Sequence, residues 1–312
     1  MERAKPTGVR ATFFHLQRHL RPVLITCTLL GACAYCWAGQ ANRNTGRSHQ
    51  LDPLQTLKRD TKNVEDGNIM VGRDLERIAD AHETQAIQFL EQMFLEHRTQ
   101  TLGIDTILSK IPPASSQDDS AYETSQMNLQ NELHIANVLI RLGVHDDVYW
   151  TYLANQAQAS LEINMPFNTA VDALGEHNPP TNPAFLAWGK SHNADKNEAA
   201  MFQFFVQPTP IMFLATTADP RGAPLLRQAL ASTNPLIQAS AAKGLALLHD
   251  NSSIPLIIAA CNRIPVSARA PLAESLLYFD DPQAQQYAQL NLPKDTYLSV
   301  RQRIAQGHTP FH

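Results

Sequence analysis

The chain repeats itself every 31 residues. Shifted by that distance, Asp219 falls on Asp250 and Asp281, Pro224-Leu225 on Pro255-Leu256, and Leu230 on Cys261. Ala239, Ala242, Leu245 and Leu248 fall in the same way on Ala270, Ala273, Leu276 and Phe279. A self-matching unit of this length is one supersecondary element that cannot bury its apolar surface alone, so successive units must stack into one elongated core.

Within each period the apolar spacing is helical. Leu225, Leu226, Ala229 and Leu230 form a stripe that Leu256, Ile257, Ala260 and Cys261 repeat, which predicts a first helix. Ala242, Leu245 and Leu248, then Ala273, Leu276 and Phe279, predict a second. Pro224 and Pro255 fit the first helical turn, with Ser253 and Gly222 as caps. Asn234-Pro235 and Ile264-Pro265 break the chain between the helices, and His249-Asp250 and Asp280-Asp281 break it after the second. Each unit reads as a helical hairpin.

The run from Asp219-Pro220-Arg221-Gly222-Ala223-Pro224-Leu225-Leu226 through Gln238-Ala239-Ser240-Ala241-Ala242-Lys243-Gly244-Leu245 resembles a HEAT repeat of the short, phycobilisome-lyase type. The resemblance is strong over residues 219–281 and weaker elsewhere. It implies an all-α, ARM-type right-handed superhelix, a solenoid of stacked hairpins that offers a binding surface rather than a catalytic centre. Gln238 stands where such repeats often carry Arg, and Arg269 restores it one period later. The lyase activity in the family's nickname is not implied, because the repeats are scaffold in those enzymes and nothing here supplies a tetrapyrrole site.

Outside the clear repeats the sequence divides by pattern. Residues 39–66 are polar and punctuated and read as a flexible linker. Residues 67–163 read as diverged helical repeats. Leu75, Ile78 and Ala79, then Ala86, Ile87, Leu90, Phe94 and Leu95, mark two helices before a loop from Pro112 to Ser125. Leu133, Ala136, Leu139, Ile140 and Leu142, ending at Gly143, pair with Val148, Tyr149, Tyr152 and Leu153 as a further hairpin. A Pro-rich insertion at 164–183 interrupts the array, which resumes over 184–292. Residues 293–312 read as a capping helix, with Asp295 as N-cap, Tyr297, Val300 and Ile304 on one face and Gly307 as the stop.

The N-terminus reads as an export signal or anchor over 1–38. Arg3, Lys5, Arg10, Arg18 and Arg21 precede a 16-residue apolar stretch from Val23 to Ala38. As a helix that stretch is about 24 Å long, short of a comfortable bilayer span. Three fates stay open: cleavage after Ala32-Cys33-Ala34 or Cys36-Trp37-Ala38, lipidation at Cys33 through the lipobox-like Leu30-Gly31-Ala32-Cys33, and retention as an anchor. Each places the rest of the chain outside the cytoplasm, periplasmic or extracellular, whereas the remaining reading, a buried helix of a cytosolic fold, does not. Without residues 1–38 the net charge falls from -4 to -8, which argues against nucleic acid as partner. Cys33-Ala34-Tyr35-Cys36 matches a redox pattern but lies in the leader, and the remainder keeps Cys261 as its sole cysteine.

No catalytic constellation is legible. His82-Glu83 lacks the second His of a zinc helix, His145, His192 and His249 stand alone, and there is no phosphate-cradling glycine loop or nucleophile elbow. The expectation is therefore no catalytic, metal or cofactor site. Cys261 takes a stripe position and reads as a small buried hydrophobe. Trp150, beside residues that fill the buried face, and Phe204, beside Phe202 and Phe205, are candidates for a partner hot spot. Gln238, Lys243, Arg269 and Glu274 project from second helices and are candidates for the same surface. The expected function is a noncatalytic protein-interaction or scaffold module of a bacterial cell envelope, touching membrane through its leader if that is kept or lipidated. The alternative is an envelope hydrolase with dispersed catalytic residues at the 164–183 insertion.

Overall fold

A computed structural model describes residues 52–62, 67–108, 116–162 and 207–311, with the side chains of 67–70, 102–108, 116–127 and 267 left aside. The leader with Cys33, the 164–183 insertion, His192 and Phe204 lie outside these residues. Within them the regular structure is helical throughout, in twelve α-helices. These are α1 (Pro53–Asp60), α2 (Gly67–Asp80), α3 (Ile87–Leu108), α4 (Ser116–Arg141), α5 (Asp147–Glu162) and α6 (Thr209–Thr216). The second half holds α7 (Ala223–Ala229), α8 (Pro235–Leu247), α9 (Ile254–Arg263), α10 (Ala270–Ser275), α11 (Pro282–Asn291) and α12 (Lys294–Ala305).

One turn recurs along the chain. Two residues past the end of α2, α6 and α8 stand His82, Ala218 and His249, each in the left-handed region at φ +50 to +53°. The next residue is an acid, Glu83, Asp219 or Asp250; a single 3-10 turn of three residues follows, and then α3, α7 or α9 begins. The amides of Glu83 and Asp250 reach back 3.0 Å to the carbonyls of Ile78 and Leu245, satisfying helix-end acceptors that would otherwise be orphaned. After α4 and α12 the left-handed position is taken by Gly143 and Gly307, at φ +85° and +80°. A left-handed residue thus stands two positions past the end of every even-numbered helix except α10, which tightens into a 3-10 turn at Leu276–Tyr278.

Packing follows chain order. α1 lies on α2, α2 on α4, α4 on α6, α6 on α8 and α8 on α10, while α3, α5 and α7 pack beside α4, α6 and α8, and α9 packs against α10 and α11. The 31-residue stripe is the buried one: Leu226, Ile257 and Ala288, and Leu230, Cys261 and Leu292, are all in the core. So are Ala242, Leu245, Ala273, Leu276 and Phe279, whereas Leu256, which the spacing placed on the stripe, is 45% exposed. Two apolar clusters result, one over α1–α5 and one from α4 to α12, and α4 contributes to both: Ile135, Ala136, Val138 and Leu139 to the first and Leu133 to the second, with Leu142 joining the first just past its end.

Several local expectations differ from what is observed. The supposed linker contains α1, capped by Asp52, started by Pro53 and held by buried Leu54 and Leu57. Residues Ser116 to Ser125 belong to α4 rather than a loop. Ser253 makes no cap, because its hydroxyl donates to the Asp250 carbonyl. Asn234 and Asp281 do cap, accepting from the amides of Leu236 and Ala284. Asp295 lies in the first turn of α12, one residue inside it, and Leu95 is 67% exposed although its spacing placed it on the stripe.

The tightest helix crossing is α6 on α8. A Cβ placed on Gly244 would meet the Ala215 Cβ at 2.5 Å, its Cα at 2.9 Å and Leu226 Cδ1 at 2.9 Å. Alanine at an open helical position gains up to about 1 kcal/mol over glycine. Here overpacking against backbone outweighs that gain, so Gly244→Ala is expected to destabilise by about 1–3 kcal/mol in urea titration; a variant as stable as the parent or more so would show the crossing can relax.

Candidate partner-binding surface and buried polar seam

Trp150 lies in the first turns of α5, where the helix meets the first clear repeat. Tyr149 is buried and Tyr152 half-buried on the side facing α3; the rings of both meet Phe94 edge-on at 5.2 Å. Leu153 and Ala157 fill the core. Val148, expected on the buried face, is 58% exposed at the second residue of the helix. The Trp150 indole turns toward the start of the next repeat and is half-buried there, its Cη2 3.6 Å from where a Cβ on Gly222 would stand.

The other face of the indole carries Arg221, whose guanidinium carbon lies 4.6 Å from the ring centroid. That guanidinium is fixed by Asp219, which accepts from Nε and, at 2.7 Å, from Nη2, while Nη1 donates to Asp147 at 3.0 Å. Burial alone would raise the Asp219 pKa, but the hydrogen bonds from the Arg221 side chain and amide hold it below the usual carboxylate value. A cation over an exposed indole contributes about 0.5–1 kcal/mol. The result is a rigid half-exposed aromatic with the aliphatic Val148 and the charged group of Arg221 alongside it.

The inner-helix candidates have different surroundings. Gln238 is 2% exposed and its Nε2 donates to the carbonyls of Leu230 and Ser232 at 3.2 and 2.7 Å. It therefore closes the link between α7 and α8 and offers nothing to a surface. Arg269 Nε donates 3.0 Å to the Ile264 carbonyl, the equivalent link one period later. Lys243 lies with its ammonium 5.8 Å from the Phe311 ring, and Glu274 pairs with Arg303 of α12 at 3.5 Å. The chain's own C-terminal segment thus engages Lys243 and Glu274, and both are half-buried.

A polar seam that the apolar spacing did not reveal runs along α4. Glu132 is 0% exposed; Thr101 donates to its Oε1, and Arg98 and Tyr152 donate to Oε2 at 3.2 and 2.6 Å. Burial, then the hydrogen bond to Glu132, pushes the Tyr152 phenol far above its ordinary pKa. On the α2 side, Glu76 bonds His134 at 2.6 Å and Arg141 at 2.8 Å, and Arg141 also reaches Asp80 at 2.8 Å. Burial would raise the Glu76 pKa, but these partners hold it far below the carboxylate range. Toward α6, Asn137 donates to the Phe213 carbonyl at 2.6 Å and to the Thr216 hydroxyl at 2.9 Å. The residues flanking 163–206 are also tied, with Gln207 Nε2 donating to the Ser160 carbonyl at 3.3 Å and Asn234 donating to Gln207 Oε1 at 3.2 Å.

Each of these side chains makes at least one hydrogen bond within the chain, and Asn137 Oδ1 is buried with no partner among the described residues. Among the described residues no group of three or more His, Cys, Asp or Glu gathers to hold a metal, and His82, His145 and His249 are exposed. Cys261 is fully buried and its thiol pushed up to about 11 by burial. No protein-family model, curated protein or solved structure matches the chain.

Two outcomes follow from this geometry. Tyr152→Phe removes one of three donors from a buried carboxylate and is expected to cost about 1–3 kcal/mol in equilibrium unfolding; an unchanged midpoint would show that Glu132 is solvated. Cys261, carrying almost no thiolate at pH 8 in the folded chain, is expected to resist iodoacetamide until denaturant is added. Rapid alkylation of the native chain at that residue would contradict its placement.

Proposed function

We propose that the chain is a HEAT-like solenoid that serves as a noncatalytic protein-interaction or scaffold module, exported or held at a membrane by its N-terminal segment. Three observations support the solenoid reading: the 31-residue period, the recurrent left-handed turn and the packing of each even-numbered helix, from α2 to α8, on the next. Support for the binding reading comes from Trp150, a half-exposed indole held rigid between Gly222 and Arg221 with Val148 exposed beside it. Preorganised aromatics next to arginine are what interface hot spots use, since little side-chain freedom is lost on binding. A stack of this length offers more than the roughly 800 Å² per partner of a standard interface.

In-cell photocrosslinking from position 148, beside the indole, tests the reading. A recurrent protein adduct is expected, and Trp150→Ala should weaken its capture about tenfold or more with the helical circular dichroism and melting curve retained. Equal capture by a normally folded Trp150→Ala variant would remove Trp150 from the surface, and the absence of any recurrent adduct would count against the module itself.

A further inference from the structure

Both ends of α1 rest on a pair of facing carboxyl groups. At its C-terminal end Asp60, 5% exposed, lies against Asp74 of α2, 0% exposed. One oxygen of each is accounted for: Arg59 Nε donates to Asp60 Oδ1 at 2.7 Å and Arg77 Nη1 to Asp74 Oδ1 at 3.3 Å. The other two, Asp60 Oδ2 and Asp74 Oδ2, are buried with no donor among the described residues. At the N-terminal end Asp52, which caps α1 by accepting from the Leu54 amide at 3.0 Å, lies against Glu83 in the turn after α2.

Two buried carboxylates this close do not both stay charged, and one proton between them gives each bare oxygen a partner. A metal cation in that place is opposed by the arginines around it: Arg59 from α1, and Arg73 and Arg77 from α2. The nearest titratable and charged groups of α4, which also packs on α2, are His134 and Arg141, and both are bonded to Glu76. The helix itself is short, eight residues, and its buried apolar side chains are Leu54 and Leu57, so its docking depends on these polar ends.

We propose that α1 is a proton-dependent latch: a proton shared between Asp60 and Asp74 holds Pro53–Asp60 on α2, and its loss as the pH rises releases it. Burial, then the neighbouring charge of Asp60, pushes the Asp74 carboxyl up from its ordinary 3.8 to about 6. Burial and the contact with Asp52 raise Glu83. Asp60 goes the other way, held low first by its hydrogen bond from Arg59, and is the charged member of its pair. A raised carboxyl favours the folded arrangement below its unfolded value, and that contribution is lost as the pH climbs through the folded one. The latch is therefore closed at pH 5 and loosened above about 6.

Hydrogen exchange of the full-length chain from pH 5 to 8, normalised to intrinsic rates, reads the latch on residues 53–60 with 254–263 as reference. Protection of 53–60 is expected to fall about tenfold or more across that range while the reference stays level. Asp74→Asn, whose amide donates to Asp60 at any pH, should flatten the fall. A flat wild-type profile, or the wild-type slope kept in Asp74→Asn, would overturn the proposal. Should that variant fail to fold, carboxyl carbon NMR of the parent decides it: a titration midpoint of Asp74 near 6 supports the latch, and one near 4 overturns it.

Discussion

The left-handed turn after α2, α6 and α8 is the constraint from which the packing grows. A chain leaving one helix pair must start the next beside it, and five residues do this: a left-handed position, an acid and a 3-10 turn. The geometry is costly for His and Ala, by about 1–2 kcal/mol each. It persists because the helices it joins recover the cost by burying their apolar faces against one another. α8 shows the outcome, with Ile237, Ala239, Ala241, Ala242, Gly244, Leu245 and Ala246 buried around most of its circumference.

Helix α4 does for the whole chain what the turn does locally. Its apolar side chains enter both clusters, and its polar ones reach four neighbours: Glu132 to α3 and α5, His134 to α2, and Asn137 to α6. Buried ion pairs of this sort add little net stability over a packed apolar core, but removing one partner is severe. They fix which face of α4 meets which helix, and so place α5 and Trp150 against the first clear repeat. The candidate surface is a consequence of that register.

Where the sequence was legible, it was because one position repeated in type as well as in place. Leu226 with Ile257, and Ala242 with Ala273, keep the 31-residue stripe visible, and Cys261 takes the place of Leu230 in the core. The same architecture was faint in the first half because its marker is a backbone angle, carried by His82 where glycine would have signalled it. Helix α1 was missed since two leucines make a weak pattern and its docking uses carboxyl pairs, invisible to periodicity. Gln238, Lys243, Arg269 and Glu274 were legible as helix positions, but their environments were not. Gln238 and Arg269 bond carbonyls nearby in the chain, whereas Lys243 and Glu274 meet residues 68 and 29 positions on. Glu132 and Tyr152 gave no signal because an isolated acid and a tyrosine 20 residues apart form a pair only in space.

If the described helices form the one continuous stack proposed above, α4 is the wall that its two clusters share. Native-state hydrogen exchange of the full chain against urea tests it most directly, by comparing the slowest amides of α2 with those of α8. The two sets are expected to merge into one opening isotherm with a common urea dependence, because α4 lines the first cluster and is tied through Leu133 and Asn137 to α6, on which α8 rests. Two separate isotherms, with α2 opening while α8 keeps its full protection and α4 following neither, would contradict it.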